Sequence, residues 1–183
     1  MKKLFILGLL CLSVLGVYAQ DLKSKQTCTE VCGVRFGCSY ETAKLILKRK
    51  FGEPDYMGTD ENSIVYCYKT YGGIGFTYMS FNFQRGGAHS YMNQCVMGYD
   101  CKTAEEAKNK RDEIWLKARR KYTTWHEDID DNGFKYYESG CSPLGGIYNG
   151  FIVDVLKLDE PHNGCRYFAR IMYGPYNYVK EDF

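Results

Sequence analysis

The sequence is short of the motifs from which a reaction is usually read. It holds three histidines, His89, His126 and His162, each near turn-forming residues, and no Gly-x-Ser-x-Gly elbow to supply a serine partner. It has no Cys-x-x-Cys pair, which excludes a thioredoxin-type redox site. Cys28, Cys32 and Cys38 have no histidine at finger spacing to complete a zinc site. No glycine-rich phosphate cradle opens a helix: Gly72-Gly73-Ile74-Gly75 lies between strand-forming runs and reads as a hairpin turn. An excess of one charge is also missing. The formal net charge is +2, and without Lys2 and Lys3 the balance is 22 basic against 22 acidic side chains. A balanced chain gives no electrostatic ground for expecting nucleic acid or an anionic membrane as partner. The one long apolar run, Leu4 to Val17, is too short to span a bilayer, so no transmembrane segment is expected.

That run reads instead as an export signal. Met1-Lys2-Lys3 is the basic tip, and Val17-Tyr18-Ala19 ends on a small residue suited to cleavage before Gln20. Residues 1–19 are therefore expected to leave the mature chain, which is periplasmic or extracellular. Cys11 supports a competing lipoprotein reading, but Leu10 is large for the position before a lipidated cysteine. Eight cysteines lie beyond the signal: Cys28, Cys32, Cys38, Cys67, Cys95, Cys101, Cys141 and Cys165. An even count in an exported chain points to a disulfide framework of at least two bridges, with 105 connectivities open. Buried thiols are the alternative, because free cysteine packs like a small apolar residue.

The pattern of elements is written twice. Ser39 caps an expected helix to Phe51, with Ala43, Ile46, Leu47 and Phe51 on one face and Gly52 as its stop. Strand-forming runs follow at Ser63–Lys69, Phe76–Phe83 and Tyr91–Tyr99. Thr103-Ala104-Glu105-Glu106 then forms a capping box opening a second helix to about Tyr122, and an Asp-rich loop follows. Further strands are expected at Phe134–Glu138, Phe151–Leu158 and Cys165–Tyr173. The expected fold is α+β: two tandem helix-plus-three-stranded antiparallel units, residues 20–100 and 101–183, with one sheet face open.

Gly37-Cys38-Ser39-Tyr40-Glu41-Thr42-Ala43-Lys44, leading to Phe51-Gly52-Glu53-Pro54, carries a family likeness. A glycine-containing start, a helix and a Phe-Gly-x-Pro exit before a hairpin resemble β-lactamase inhibitor protein and the envelope lipoproteins of the SmpA/OmlA type. Residues 33–183 also resemble exported bacterial proteins. The resemblance implies a binding fold whose sheet face meets another protein, and it implies no catalytic residue.

Three candidate sites remain. Asp128, Asp130 and Asn132 fall at positions 1, 3 and 5 of a calcium loop and Gly133 at position 6, but Ser139 stands where a bidentate Glu is required. A polar turn competes with that reading. Lys108, Lys110, Arg111, Lys117, Arg119, Arg120 and Lys121 interleave with acids and read as a solvated helix face. The strongest signal is 17 tyrosines, amphipathic residues that favour strands and contact surfaces. Tyr66, Tyr78, Tyr136 and Tyr167 are the expected contact residues on the open sheet face. The expected function is therefore non-enzymatic binding of another protein by a monomer that needs no cofactor. A small secreted hydrolase with a Cys/His site, or a structural envelope protein, is the alternative.

Overall fold

The computed structural model describes residues 28–86, 88–122, 125–139 and 150–176. The signal segment, Cys11 and Cys141 lie outside the described residues.

Both helices begin where their caps place them. Helix α1 spans Tyr40–Phe51, and its N-cap Ser39 Oγ accepts the Thr42 N–H at 3.4 Å. Helix α2 spans Ala104–Ala118. Thr103 Oγ1 accepts the Glu106 N–H at 3.2 Å, while the Glu106 carboxylate accepts the Lys102 N–H at 2.9 Å. The reciprocal pair of the capping box therefore forms, with the return bond one residue before the cap. Regular helix ends at Ala118, earlier than the expected Tyr122, and turns carry the chain onward.

The strands are β1 (Glu30–Val31), β2 (Val34–Arg35), β3 (Tyr56–Met57), β4 (Ser63–Tyr71), β5 (Ile74–Gly86), β6 (His89–Cys101), β7 (Trp125–Ile129), β8 (Lys135–Ser139), β9 (Phe151–His162) and β10 (Cys165–Tyr173). Strands β1 and β2 make a small hairpin. The rest form one antiparallel sheet of eight strands, in the order β3-β4-β5-β6-β10-β9-β8-β7. This overturns the expectation of two tandem three-stranded units. The protein is mostly β, and its two halves meet because β6 pairs with β10 along Tyr167–Tyr173. Both strands carry apolar residues on both alternations, so each is suited to the interior of a sheet and neither to an exposed edge. The Asp-rich segment read as a loop supplies β7, which pairs with β8.

Among the described residues, one face of the sheet is roofed and the other is left open. Tyr66, Met79, Met97, Ile171, Val153 and Tyr137 lie opposite one another in a row from β4 to β8, and all six are buried. Over them pack Ala43 and Leu47 of α1, Ile114 and Trp115 of α2, and the β1–β2 hairpin. Trp115 stacks on Tyr137 with ring centroids 4.5 Å apart. Arg111, expected on a solvated face, is buried and donates to the Lys135 carbonyl at 2.8 Å, tying α2 to β8. The β4–β5 turn uses Gly72 and Gly73 at φ 60° and 73°, a left-handed pair that matches the twist of a two-residue hairpin.

The sheet edges are guarded differently. Beyond the two-residue β3, Asp55 covers β4 by donating its N–H to Val65 O at 3.0 Å and accepting the Cys67 N–H at 2.8 Å. Strand β7 is exposed throughout and carries Glu127 and Asp128, charges that oppose the docking of another strand. Among the described residues, no helix is long and apolar enough to cross a membrane.

Candidate functional site

The four tyrosines divide between the faces. Tyr78 and Tyr136 lie on the open side, both half-buried. Tyr66 is 0% exposed, packs edge-on against Phe81, and donates its hydroxyl to Gly52 O at 3.2 Å. Burial, with Glu53 and Asp55 nearby, pushes its phenol up to about 12. Tyr167 shares its face with buried Ala169 and Ile171 and packs edge-on against Phe134 at 5.9 Å. Neither Tyr66 nor Tyr167 can serve an open-face contact. In β4, Ile64 and Tyr66 point inward where Val65 and Cys67 were equally able to. In β10, Ala169, Ile171 and Tyr173 point inward and turn Phe168 and Met172 out.

The open face is built from three registers. Glu138, Ile152, Met172, Val96, Ser80, Val65 and Tyr56 form one row across the sheet. The next holds Asp154, Arg170, Gly98, Tyr78 and Cys67, and a third sets Leu156 beside Phe168 and Asp100. The centre is an aromatic pair: Tyr78 and Phe168 meet edge to face, 6.1 Å between centroids. Gly98 makes this possible. A Cβ there would lie 2.6 Å from Phe168 Cζ and 2.6 Å from Ala169 O, so the ring lies across a stretch of strand that has no side chain.

Polar groups flank the pair. Arg170 donates from Nε and Nη2 to the two carboxylate oxygens of Asp154 at 2.8 and 2.9 Å, a fork in which both side chains are largely buried. Along the other side, Asn82 donates to Gln94 Oε1 at 2.8 Å, and Gln94 donates to Met172 Sδ at 3.4 Å. Thr77 donates to Gly98 O at 3.2 Å and accepts the Asp100 N–H at 3.0 Å, which pins β5 to β6 beside Tyr78. The surface is thus rigid, apolar at its middle and polar around it. The chain matches no protein-family model, no curated protein and no solved structure. Its function rests on its own geometry.

The calcium reading takes another form. Asp128 lies within β7, and its Oδ1 accepts the Ile129 N–H at 2.8 Å. Asp130 Oδ1 accepts the Asn132 and Phe134 N–H groups at 3.0 and 2.7 Å, so its oxygen holds the turn together. Among the described residues, no group of three or more His, Cys, Asp or Glu gathers as metal ligands.

Cys32, Cys38, Cys67, Cys95, Cys101 and Cys165 are free thiols in this structure. Burial raises Cys95 well above its ordinary value and Cys32 to about 12, the latter against the pull of Lys50; burial raises Cys38 and Cys101 to about 11. Neutral thiols of this kind are poor nucleophiles. One histidine shares a register with a cysteine: His162 faces Cys165 across the tip of the β9–β10 hairpin. Cys165 is buried, His162 is exposed, and no hydrogen bond joins them.

Proposed function

We propose that this is an exported, monomeric, non-enzymatic protein that binds another protein through the open face of its sheet. The observation that carries this reading is the Tyr78–Phe168 pair, set over Gly98 on the face of the eight-stranded sheet that no described element covers. Rigid aromatics at the centre of a patch, ringed by satisfied polar groups, are the usual anchors of protein contact. The Arg170–Asp154 fork and the Asn82–Gln94 bond keep that ring in one geometry, so little side-chain freedom is lost on docking. The partner that fits is a protein with a flat apolar patch and a polar margin. The N-terminal signal read from the sequence places the encounter outside the cytoplasm, and disulfides between some of the cysteines would suit that compartment.

The test uses residues 20–183 as bait against envelope and culture-medium fractions, beside a Tyr78→Ala/Phe168→Ala variant. Both rings lie outside the roofed core, so the variant keeps its far-ultraviolet circular dichroism. The reading expects one stoichiometric partner captured by the parent and lost by the variant. Equal capture by both proteins would remove the open face from consideration.

A further inference from the structure

The roofed side carries a second feature, unrelated to the contact face. Where the C-terminal half of α2 passes the β4–β5 hairpin, the two leave a cleft of about 250 Å³ between them. Phe76, Met97, Ile114 and Ile171 line it, four residues that belong to the buried core. The mouth is charged: among the described residues, Lys117 and Lys121 stand on it, four residues apart, against one carboxylate, that of Glu30. Lys117 reaches across the opening to Gly73 O at 3.3 Å. An ammonium has three donors, so two of its three are left to a ligand. Nearby, the Tyr71 hydroxyl accepts the Cys32 N–H and the Tyr122 hydroxyl accepts from Cys28 Sγ, both at 3.3 Å.

We propose that this cleft binds a medium-chain carboxylate, its tail against Met97 and Ile171 and its head between Lys117 and Lys121. The volume equals roughly eight water-sized groups at about 30 Å³ each, which sets the chain near eight carbons. An apolar interior with a few polar groups at one end is the usual form of a small-molecule site. The sign of the mouth, two cations against one anion, selects a carboxylate over an amine.

The test titrates octanoate, octylamine and octanol into the mature protein by calorimetry. Octanoate is expected to bind once per chain and at least tenfold tighter than octylamine. Lys117→Gln/Lys121→Gln should weaken octanoate at least fivefold and leave octanol unchanged. Methyl-labelled methionine locates the site without any variant: the Met97 resonance moves with octanoate while Met172, on the open face, stays still. No saturable octanoate binding, equal affinity for octanoate and octylamine, or movement of Met172 with Met97 unmoved would each overturn the proposal.

Discussion

Replacing Gly98 with alanine tests whether the central aromatic is seated by a missing side chain. The added methyl would sit 2.6 Å from the Phe168 ring and 2.6 Å from the Ala169 carbonyl oxygen, both closer than real contacts allow. Overpacking of this kind costs about 1–3 kcal/mol, and the backbone oxygen has little room to retreat, which argues for the upper part of that range. Against it stands the loss of a glycine from a strand interior, worth roughly 0.5–1 kcal/mol in favour of alanine. The net loss is about 1–2 kcal/mol, or roughly 2–8 °C in Tm for a chain of this size. Thermal unfolding of Gly98→Ala, Phe168→Ala and the double variant separates the two clashes. With the ring removed, its share of the strain disappears and the share at Ala169 O remains. The double variant should therefore be more stable than the sum of the singles predicts, by about 1 kcal/mol. Strict additivity, or a Gly98→Ala protein as stable as its parent, would refute the seating of Phe168 over Gly98.

Thr103→Ala removes the acceptor for the Glu106 N–H and should lower the urea midpoint by an amount worth about 1 kcal/mol, with Thr103→Ser restoring it. Asp154→Ala strands the largely buried Arg170 guanidinium; a fully buried broken pair costs about 3–5 kcal/mol, and residual solvent contact reduces this to roughly 2 kcal/mol in equilibrium unfolding. The reduced protein should lose stability at alkaline pH. Cys32 holds its proton more tightly folded than unfolded, so its contribution is complete below 9.0 and is lost as pH rises toward about 12. Urea midpoints at pH 8 and pH 10.5 read the sum of this and the raised Cys38, Cys95 and Cys101, and Cys32→Ala should reduce the difference by its share.

The parts of the fold legible in the sequence were those with local causes. Ser39, Thr103 and Glu106 announce the helix starts through their own hydrogen bonds, and Gly72-Gly73 announces the hairpin. Tertiary choices were not legible. Strand β10 offers Phe168 and Met172 on one alternation and Ala169 and Ile171 on the other, both apolar, so a period of two cannot say which side the helices roof. Tyr66 and Tyr78 look alike as strand tyrosines, yet one is sealed under α1 and the other is open. Trp125-His126-Glu127-Asp128-Ile129 lacks a strand-like composition because an edge strand with charge on it needs none; its pairing with β8 and the rest of Trp125 against Trp115 decide its place. The Gly98 signal was present, a glycine inside a strand-forming run, and its reason becomes visible only when Phe168 lies over it.

The pairing of β6 with β10 also sets the order in which the molecule can be finished. Met97 has no neighbour on one side until Ile171 arrives, and Ile171 belongs to the last described strand of the sheet. The first half of the chain must therefore wait with the inner edge of β6 uncovered while the whole second half emerges. Closing contacts of such long sequence separation is slow, and an unpaired apolar strand is exposed to association meanwhile. Maturation then hinges on one late event at the centre of the sheet. A chain stopped before Cys165 would lack the strand that joins the two halves of the sheet and would present an open β6 to every other copy.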